Sequence, residues 1–511
     1  MKTEKRIKRL LPLLLITLLC SALQAAPVNR AARREQRRPN FILIIADDMA
    51  WDDSGAFGRS AIRTPNIDRL ARAGMRFNRA FVTTSSCSPS RASIITGRYP
   101  HSTDAEQLHW SLPAEQTTFV ELLKNAGYWT AAAGKWHLGE EIKDRFDTVK
   151  EASSAGFRLP IEQSGAAAAG GQQTAASGSD GSGATEWVAT LRNRPKDKPF
   201  FLWLASLDPH RNYRENIIAA PHRPADVYVP PYLPDLPEVR RDLALYYDEI
   251  ARLDSYVGEV LAELERQGEA DNTLMMFLSD NGRPFPRDKT TLYDSGIKTP
   301  LIAKWPGTIK AGGATNSLVS TVDIAPTITE LAGLKFAPSF QGKSFVSVLK
   351  NPRSEIRDAI YAEKNWHDYE DRARAVRNAR FKYIRNYYTD LPLTPPADAV
   401  RSPTFTAMRE LSGQGKLTPE QMRIFTKPRR AEELYDTEKD PHELRNLVGD
   451  PKHTGTMSNF REKLKKWENE TDDRPPAART PDEFDRELGT PLPNRQPVRP
   501  GKKAIPVKSR K

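Results

Sequence analysis

The densest chemistry in this sequence surrounds Cys87, in Ser85-Ser86-Cys87-Ser88-Pro89-Ser90-Arg91. Pro89 suits the first turn of a helix and Gly97 its end, so Cys87 falls at a helix N-terminus, where N–H groups and the dipole favour an anion. Arg91, four residues on, lies on the same helix face. Four serines are odd company for a buried apolar thiol. Two acidic clusters stand elsewhere: Asp47-Asp48, directly after the apolar run Asn40–Ala46, and Asp280-Asn281-Gly282, after the run 274–278. Adjacent carboxylates repel without a counter-ion. With Asp280 and the Asn281 amide oxygen they form a hard, all-oxygen set suited to Ca²⁺ or Mg²⁺ rather than zinc. Read singly, each cluster is equally well a helix cap or a turn. In Gly134-Lys135-Trp136-His137, continuation of a strand puts Lys135 and His137 on one face, a cation for an oxyanion beside a proton-transfer group. Asp208-Pro209-His210 follows another apolar run, and Lys298 follows Ser295-Gly296.

These residues need elements that bring them together. The runs at 40–46, 128–134, 200–205 and 274–278 are short and apolar, as expected of strands buried on both faces. Between them lie helical signals: Thr64-Pro65 opening a helix closed by Gly74, Thr117 with Glu121 opening one closed by Gly127, and a long apolar period over 242–266. This alternation predicts an α/β fold with a mostly parallel sheet flanked by helices, whose C-terminal strand edge binds ligands. Four strand ends there carry acids, cations or histidines, and independent coincidence explains that poorly. Beyond residue 350, short strands at 359–363, 373–376 and 381–386 and a closing helix at 459–467 predict a smaller C-terminal α+β domain on an antiparallel sheet. The expected division is a catalytic domain over 39–350, carrying a flexible Gly/Ala/Ser/Gln insertion at 163–185, then the α+β unit over 351–470 and a basic, Pro-rich tail over 471–511.

The chain has 511 residues, 38% hydrophobic, with a net charge of +12 concentrated at its two ends. The body is nearly neutral, which argues against a nucleic-acid groove. Residues 1–26 combine a basic start, the apolar stretch 10–20 and small residues near Ala25 and Ala26, the pattern of a signal peptide; residues 27–38 read as a disordered, Arg-rich connector. The expectation is an exported protein, periplasmic or secreted. No later run approaches the length of a membrane span. Two cysteines exclude a disulfide scaffold and a thiolate zinc site. Cleavage would leave Cys87 as a lone thiol in an oxidising compartment, a liability unless it is buried or chemically employed.

Cys87-Ser88-Pro89-Ser90-Arg91, followed by Thr96-Gly97, resembles the signature of type I sulfatases. Asp47-Asp48, Gly134-Lys135-Trp136-His137 and Asp280-Asn281-Gly282 fit that family in order and spacing, as do Glu433-Leu434-Tyr435-Asp436 and Asp440-Pro441. Leu207-Asp208-Pro209-His210-Arg211, Asn281-Gly282-Arg283-Pro284-Phe285-Pro286 and Ser402-Pro403-Thr404-Phe405 are similar to the heparan N-sulfatase branch and its bacterial relatives. The resemblance spans residues 40–467 and implies an alkaline-phosphatase-like fold. It also implies that Cys87 is oxidised to formylglycine by a formylglycine-generating or sulfatase-maturating enzyme. One hydroxyl of the hydrated aldehyde then attacks sulfur, and the other releases sulfate with help from His137. By the same resemblance Asp47, Asp48, Asp280, Asn281 and the modified Cys87 hold Ca²⁺ (or Mg²⁺), Arg91 steadies the nucleophile, Lys135 and Lys298 bind sulfate oxygens, and His210 protonates the leaving atom. Lys289 competes with Lys298. His109 is expected in the sugar pocket; Asp208 and Arg211 either contact the substrate or fix His210.

The leading expectation is hydrolysis of sulfate esters or sulfamates of a sulfated saccharide. A phosphatase or phosphonate monoester hydrolase on the same scaffold, and a non-catalytic binder of sulfated glycans, are the alternatives.

Overall fold

The computed structural model describes residues 37–152, 180–493, 495–496 and 502; the expected signal peptide, nearly all of the connector and residues 163–179 of the expected insertion lie outside the described residues. Fourteen strands are described: β1 (Asn40–Ala46), β2 (Met75–Phe77), β3 (Ala80–Phe81), β4 (Trp129–Gly134), β5 (Thr148–Glu151), β6 (Phe200–Ala205), β7 (Thr273–Ser279), β8 (Leu301–Lys304), β9 (Gly313–Thr315), β10 (Val319–Ser320), β11 (Ile360–Lys364), β12 (Ala373–Arg377), β13 (Phe381–Asn386) and β14 (Glu432–Asp436). The main sheet has eight strands in the order β5-β4-β6-β1-β7-β8-β2-β9. Its central run, from β5 to β7, is parallel, and β8 lies antiparallel to both β7 and β2.

The apolar runs become the middle of this sheet because helices cover both faces. Every residue of β1, β6 and β7 is buried, and alternate side chains enter two different cores. Ile42 and Ile44 pack with the apolar stripe of helix Pro237–Arg266 (Val239, Leu243, Ile250, Leu253, Val257), whereas Leu43 and Ile45 join Ile94, Ile95, Phe119 and Val120 of the opposite layer. That long helix begins five residues before its apolar period, at Pro237, a residue suited to a helical first turn. Thr118 caps helix Phe119–Asn125 by accepting from Glu121 N.

Strands β11, β12, β13 and β14 form a separate antiparallel sheet, with helix Thr454–Glu470 laying Met457, Phe460, Leu464 and Trp467 into its core. The fold is therefore α/β with a second, smaller antiparallel sheet.

Two expectations fail on packing. Residues 180–185, read as part of a flexible insertion, are tied down: Leu207 N donates to Ser182 O (2.8 Å), and Asp180 accepts from Tyr256 Oη (2.7 Å). Residues 471–493, read as tail, also pack on the body. Asp473 is buried between Arg372 and Arg374, with Nη2 of each guanidinium 2.9 Å from its Oδ1, and Phe484 joins the larger apolar core. Composition hid this, because the segment's few buried groups sit among prolines and exposed charges.

Burial pushes the Asp473 carboxyl upward, but Arg374, His101 and Arg372 outweigh it and hold the group well below the usual carboxylate range. A depressed native pKa gives stability that is present above pH ~4 and lost as pH falls below it. Asp473→Ala strands two buried guanidinium groups and is expected to cost about 3–5 kcal/mol in urea unfolding at pH 7. The difference from wild type should narrow below pH ~4.

Candidate active site

The C-terminal ends of β1, β4, β6 and β7 converge on the N-terminus of helix Cys87–Thr96, all ten residues of which are buried. Backbone hydrogen bonds fix the convergence: Asp280 N donates to Ala46 O (3.1 Å), Asp47 N to Asp208 O (3.0 Å) and Lys135 N to Ala205 O (2.8 Å). Asp48 leaves β1 in the left-handed region (φ 71°). Gly134 ends β4 at φ 100°, where a Cβ would sit 1.8 Å from Ala205 O, so only glycine allows the chain to turn here.

Three buried carboxylates meet three buried cations. Asp47 Oδ2 is 2.5 Å from Lys135 Nζ, Asp48 Oδ2 is 2.8 Å from Lys289 Nζ, and Asp280 Oδ2 is 2.7 Å from Arg91 Nη2. Burial would raise the Asp47 pKa, but Lys135, with His210 and Arg91, holds it below the ordinary value; for Asp280, burial prevails and the shift is upward. Cys87 Sγ lies 3.8 Å from Asp48 Oδ1, and burial pushes its thiol far above the ordinary range despite Lys135 and Lys289. An unmodified Cys87 is therefore a protonated thiol and a poor nucleophile.

The same geometry tests a cation's fit. Asp47 Oδ1 and Asn281 Oδ1 are buried with no hydrogen-bond partner among the described residues, and the Asn281 amide is oriented by its Nδ2, which donates to Asp48 Oδ1 at 2.6 Å. Buried oxygens without donors are costly unless something positive sits among them. Asp47, Asp48, Asp280 and Asn281 thus could hold a divalent cation through oxygen, and Asp47, Cys87 and Asp280 each place a ligand atom within 4.8 Å of the others.

The histidines surround this cluster. Lys135 and His137 reach it, although not by strand alternation: the strand stops at Gly134 and His137 is left-handed (φ 58°). His137 Nε2 is 2.8 Å from His109 Nδ1. Burial, with Lys135 and His109, lowers the His137 pKa well below its ordinary value, so the ring is neutral at pH 7. His210 Nε2 stands 3.7 Å from Asp48 Oδ2, while its Nδ1 bonds the Arg211 carbonyl.

Three expected side chains are engaged away from the carboxylate cluster. Lys298 Nζ sits 3.4 Å from the centre of the Trp51 ring, among Asp294, Arg377 and Lys382, and burial lowers its pKa to about 8. Lys289, not Lys298, stands at the carboxylates. Asp208 accepts from Nε and Nη2 of Arg252 (2.8 and 2.6 Å), and Arg211 pairs Nη1 and Nη2 with Asp242 (2.8 Å each) while its Nε donates to Pro284 O. Both side chains are therefore paired inside the protein. Sequence reasoning missed Asp398, whose Oδ2 is 3.8 Å from His210 Nε2, and Trp366 and His367, which touch the Cys87 loop. No spacing links these three to the other site residues.

The sulfatase family profile matches residues 39–334, and an N-sulphoglucosamine sulphohydrolase C-terminal profile matches residues 285–395. The chain belongs to the sulfatase family. It is a sulfuric ester hydrolase, 33% identical over 485 residues to an ulvan-active sulfatase of Formosa agariphila (84% of this chain, 74% of that one). It is also 31% identical over 496 residues to the N-sulphoglucosamine sulphohydrolase of Homo sapiens (89% of this chain, 93% of that one). The structure of BT4656, solved with its substrate D-glucosamine-2-N,6-O-disulfate, shares the fold at a TM-score of 0.63 and 22% identity, covering 86% of this sulfatase and 99% of that chain.

The two lysines of this sulfatase are separable by experiment. Lys289→Ala is expected to lower kcat/KM for sulfate release by about 100-fold, as for loss of one charged group at a developing negative charge. Lys298→Ala should change it by less than about threefold, the scale of a residue that touches no reacting atom.

Proposed function

We propose that this sulfatase is exported and removes sulfate from a sulfated saccharide, as an ester or a sulfamate, using formylglycine formed from Cys87 and a divalent cation, Ca²⁺ or Mg²⁺. The observation that carries the reading is the position of Cys87: a buried sulfur 3.8 Å from a metal-competent carboxylate, on a helix N-terminus ringed by Arg91, Lys135 and Lys289. A maturating enzyme that oxidises cysteine would act on this residue. The saccharide class follows from relatives named for ulvan and for N-sulphoglucosamine.

When present together, the bound cation and the hydrated aldehyde supply an activated oxygen for attack on sulfur and a second hydroxyl for sulfate release. Asp47, Asp48, Asp280 and Asn281 would hold the cation. The remaining work belongs to side chains. Arg91 is anchored by Asp280 through Nε (2.9 Å) and Nη2, so it presents a fixed positive charge beside position 87. Lys135 and Lys289 face the same space, where they bind sulfate oxygens and offset the charge that builds on them. Neutral His137 takes a proton at Nδ1, a buried nitrogen with no hydrogen-bond partner among the described residues. His210 donates from Nδ1 to the Arg211 carbonyl and turns Nε2 inward; when the ring carries both protons, Nε2 is the atom from which one reaches the leaving oxygen or nitrogen.

Sulfate release should be followed on defined mono- and disaccharides, including N-sulfated glucosamine and its O-sulfated isomers. Wild type is expected to turn over at least one of them, and Cys87→Ala to lower the rate by about 1,000-fold or more. Unchanged release by that variant would refute the proposed nucleophile, and a dominant rate on matched phosphate esters would refute the substrate class.

A further inference from the structure

Asp398 is a carboxylate with no role in the chemistry above. Its Oδ1 accepts from Ala399 N (2.8 Å), whereas Oδ2 is buried with no hydrogen-bond partner among the described residues, 3.8 Å from the inward nitrogen of His210. Burial opposes the charge on Asp398, but Lys289, His210 and Arg211 hold its pKa below the ordinary range, so it is ionised. A negative group here repels sulfate. What it can accept is an O–H or N–H of the atoms that carry the sulfate, because His210 faces the leaving atom and Asp398 faces His210.

The position of Asp398 is set by a part of the chain distant in sequence. Ala397 N, beside it, donates to Asp368 Oδ2 (2.8 Å), and the Asp368 carbonyl accepts from Glu483 N (3.1 Å). The same loop carries Trp366, packed with Leu108 against Cys87, and His367, whose Nδ1 is 2.8 Å from Ser86 Oγ. Residues 480–489 bind this loop along its outer side. Trp366 Nε1 donates to Pro481 O (3.0 Å), Glu370 N to Asp482 Oδ1 (2.7 Å) and Tyr369 Oη to Asp485 O (3.0 Å). Arg486 is the clasp: its guanidinium donates to Glu370 O (2.9 Å), Thr394 Oγ1 (3.2 Å) and Asp482 Oδ2 (2.7 Å). Arg401, which follows Asp398 by three residues, donates to Gly489 O.

We infer that Asp398 is a specificity-determining residue, accepting a hydrogen bond from a hydroxyl or amino group of the saccharide next to the sulfated position, and that residues 480–489 form a strap that positions it together with the Trp366–His367 wall. This rests on the sulfatase reading and deepens it. An aryl sulfate has no such neighbouring donor and gains nothing from Asp398.

The test compares kcat/KM for the best saccharide found above with that for 4-nitrophenyl sulfate in the full-length protein. Asp398→Asn is expected to lose about 10- to 100-fold on the saccharide, the cost of one lost charged hydrogen bond, and less than about threefold on the aryl sulfate. Arg486→Ala should raise KM for the saccharide by about tenfold with kcat little changed, and Arg486→Lys should recover part of it. Hydrogen–deuterium exchange gives a readout independent of turnover: amides of residues 366–370 should exchange faster in Arg486→Ala, while those of β1, β6 and β7 stay protected. An equal loss on both substrates by Asp398→Asn, or no loss on the saccharide, would overturn its specificity role. Unchanged exchange over 366–370 would overturn the strap, whatever the substrate. Failure of the wild type to release sulfate from any compound would count against the sulfatase reading and leave the exchange result to stand.

Discussion

The arrangement depends on the mutual neutralisation of charges that have been taken out of water. Asp47, Asp48 and Asp280 lie within a few ångströms of one another with no exposed surface. A lone buried carboxylate is costly and three are far costlier, unless cations meet them at hydrogen-bond distance. Lys135, Lys289 and Arg91 do so one for one. The balance leaves Asp47 Oδ1 and Asn281 Oδ1 without a hydrogen-bond donor among the described residues, which is what a site with room for one further positive charge should show.

Backbone geometry makes that clustering affordable. The strands that bear the acids are central and parallel, so their C-terminal ends lie on one edge; neighbouring β1 and β7 place Asp47 beside Asp280 by register, and Lys135 reaches Asp47 from the end of β4, on the far side of β6. Two glycines allow the chain to leave the sheet without separating these groups. Gly134 turns at positive φ against Ala205 O. At Gly282 a Cβ would meet Ser295 O at 1.9 Å, so the loop that bears Lys289 can close over Asp280-Asn281. The second sheet contributes differently. Loop 364–371 and the helix start at Asp398 reach the site from outside the catalytic sheet, and the segment beyond residue 470 fastens them.

What could be read in the sequence was whatever local patterning dictates. Unbroken apolar runs specified β1, β6 and β7, and the Pro89–Gly97 spacing specified the helix that carries Cys87. The acids were visible because they stand directly at strand ends. Lys289 and Lys298 could not be separated, since both follow the same strand and only the turn at Gly282 and Thr290 (φ 64°) decides which one faces inward. Asp208 and Arg211 looked available because their partners, Arg252 and Asp242, belong to a helix whose facing could not be derived from the motif itself. Asp398 has no motif: it stands out by a buried oxygen with no hydrogen-bond partner among the described residues, which exists only in three dimensions. The strap was hidden by prolines and charge, and its role depends on hydrogen bonds to a loop more than a hundred residues upstream.

On this reading the oxygens of Asp47, Asp48, Asp280 and Asn281 together hold one divalent cation beside residue 87. Anomalous diffraction from crystals of the full-length protein grown with Ca²⁺ or Mn²⁺ measures this directly. One strong peak is expected, with oxygens of all four residues about 2.0–2.6 Å away. No peak there, in protein that still releases sulfate after exhaustive treatment with chelator, would contradict it.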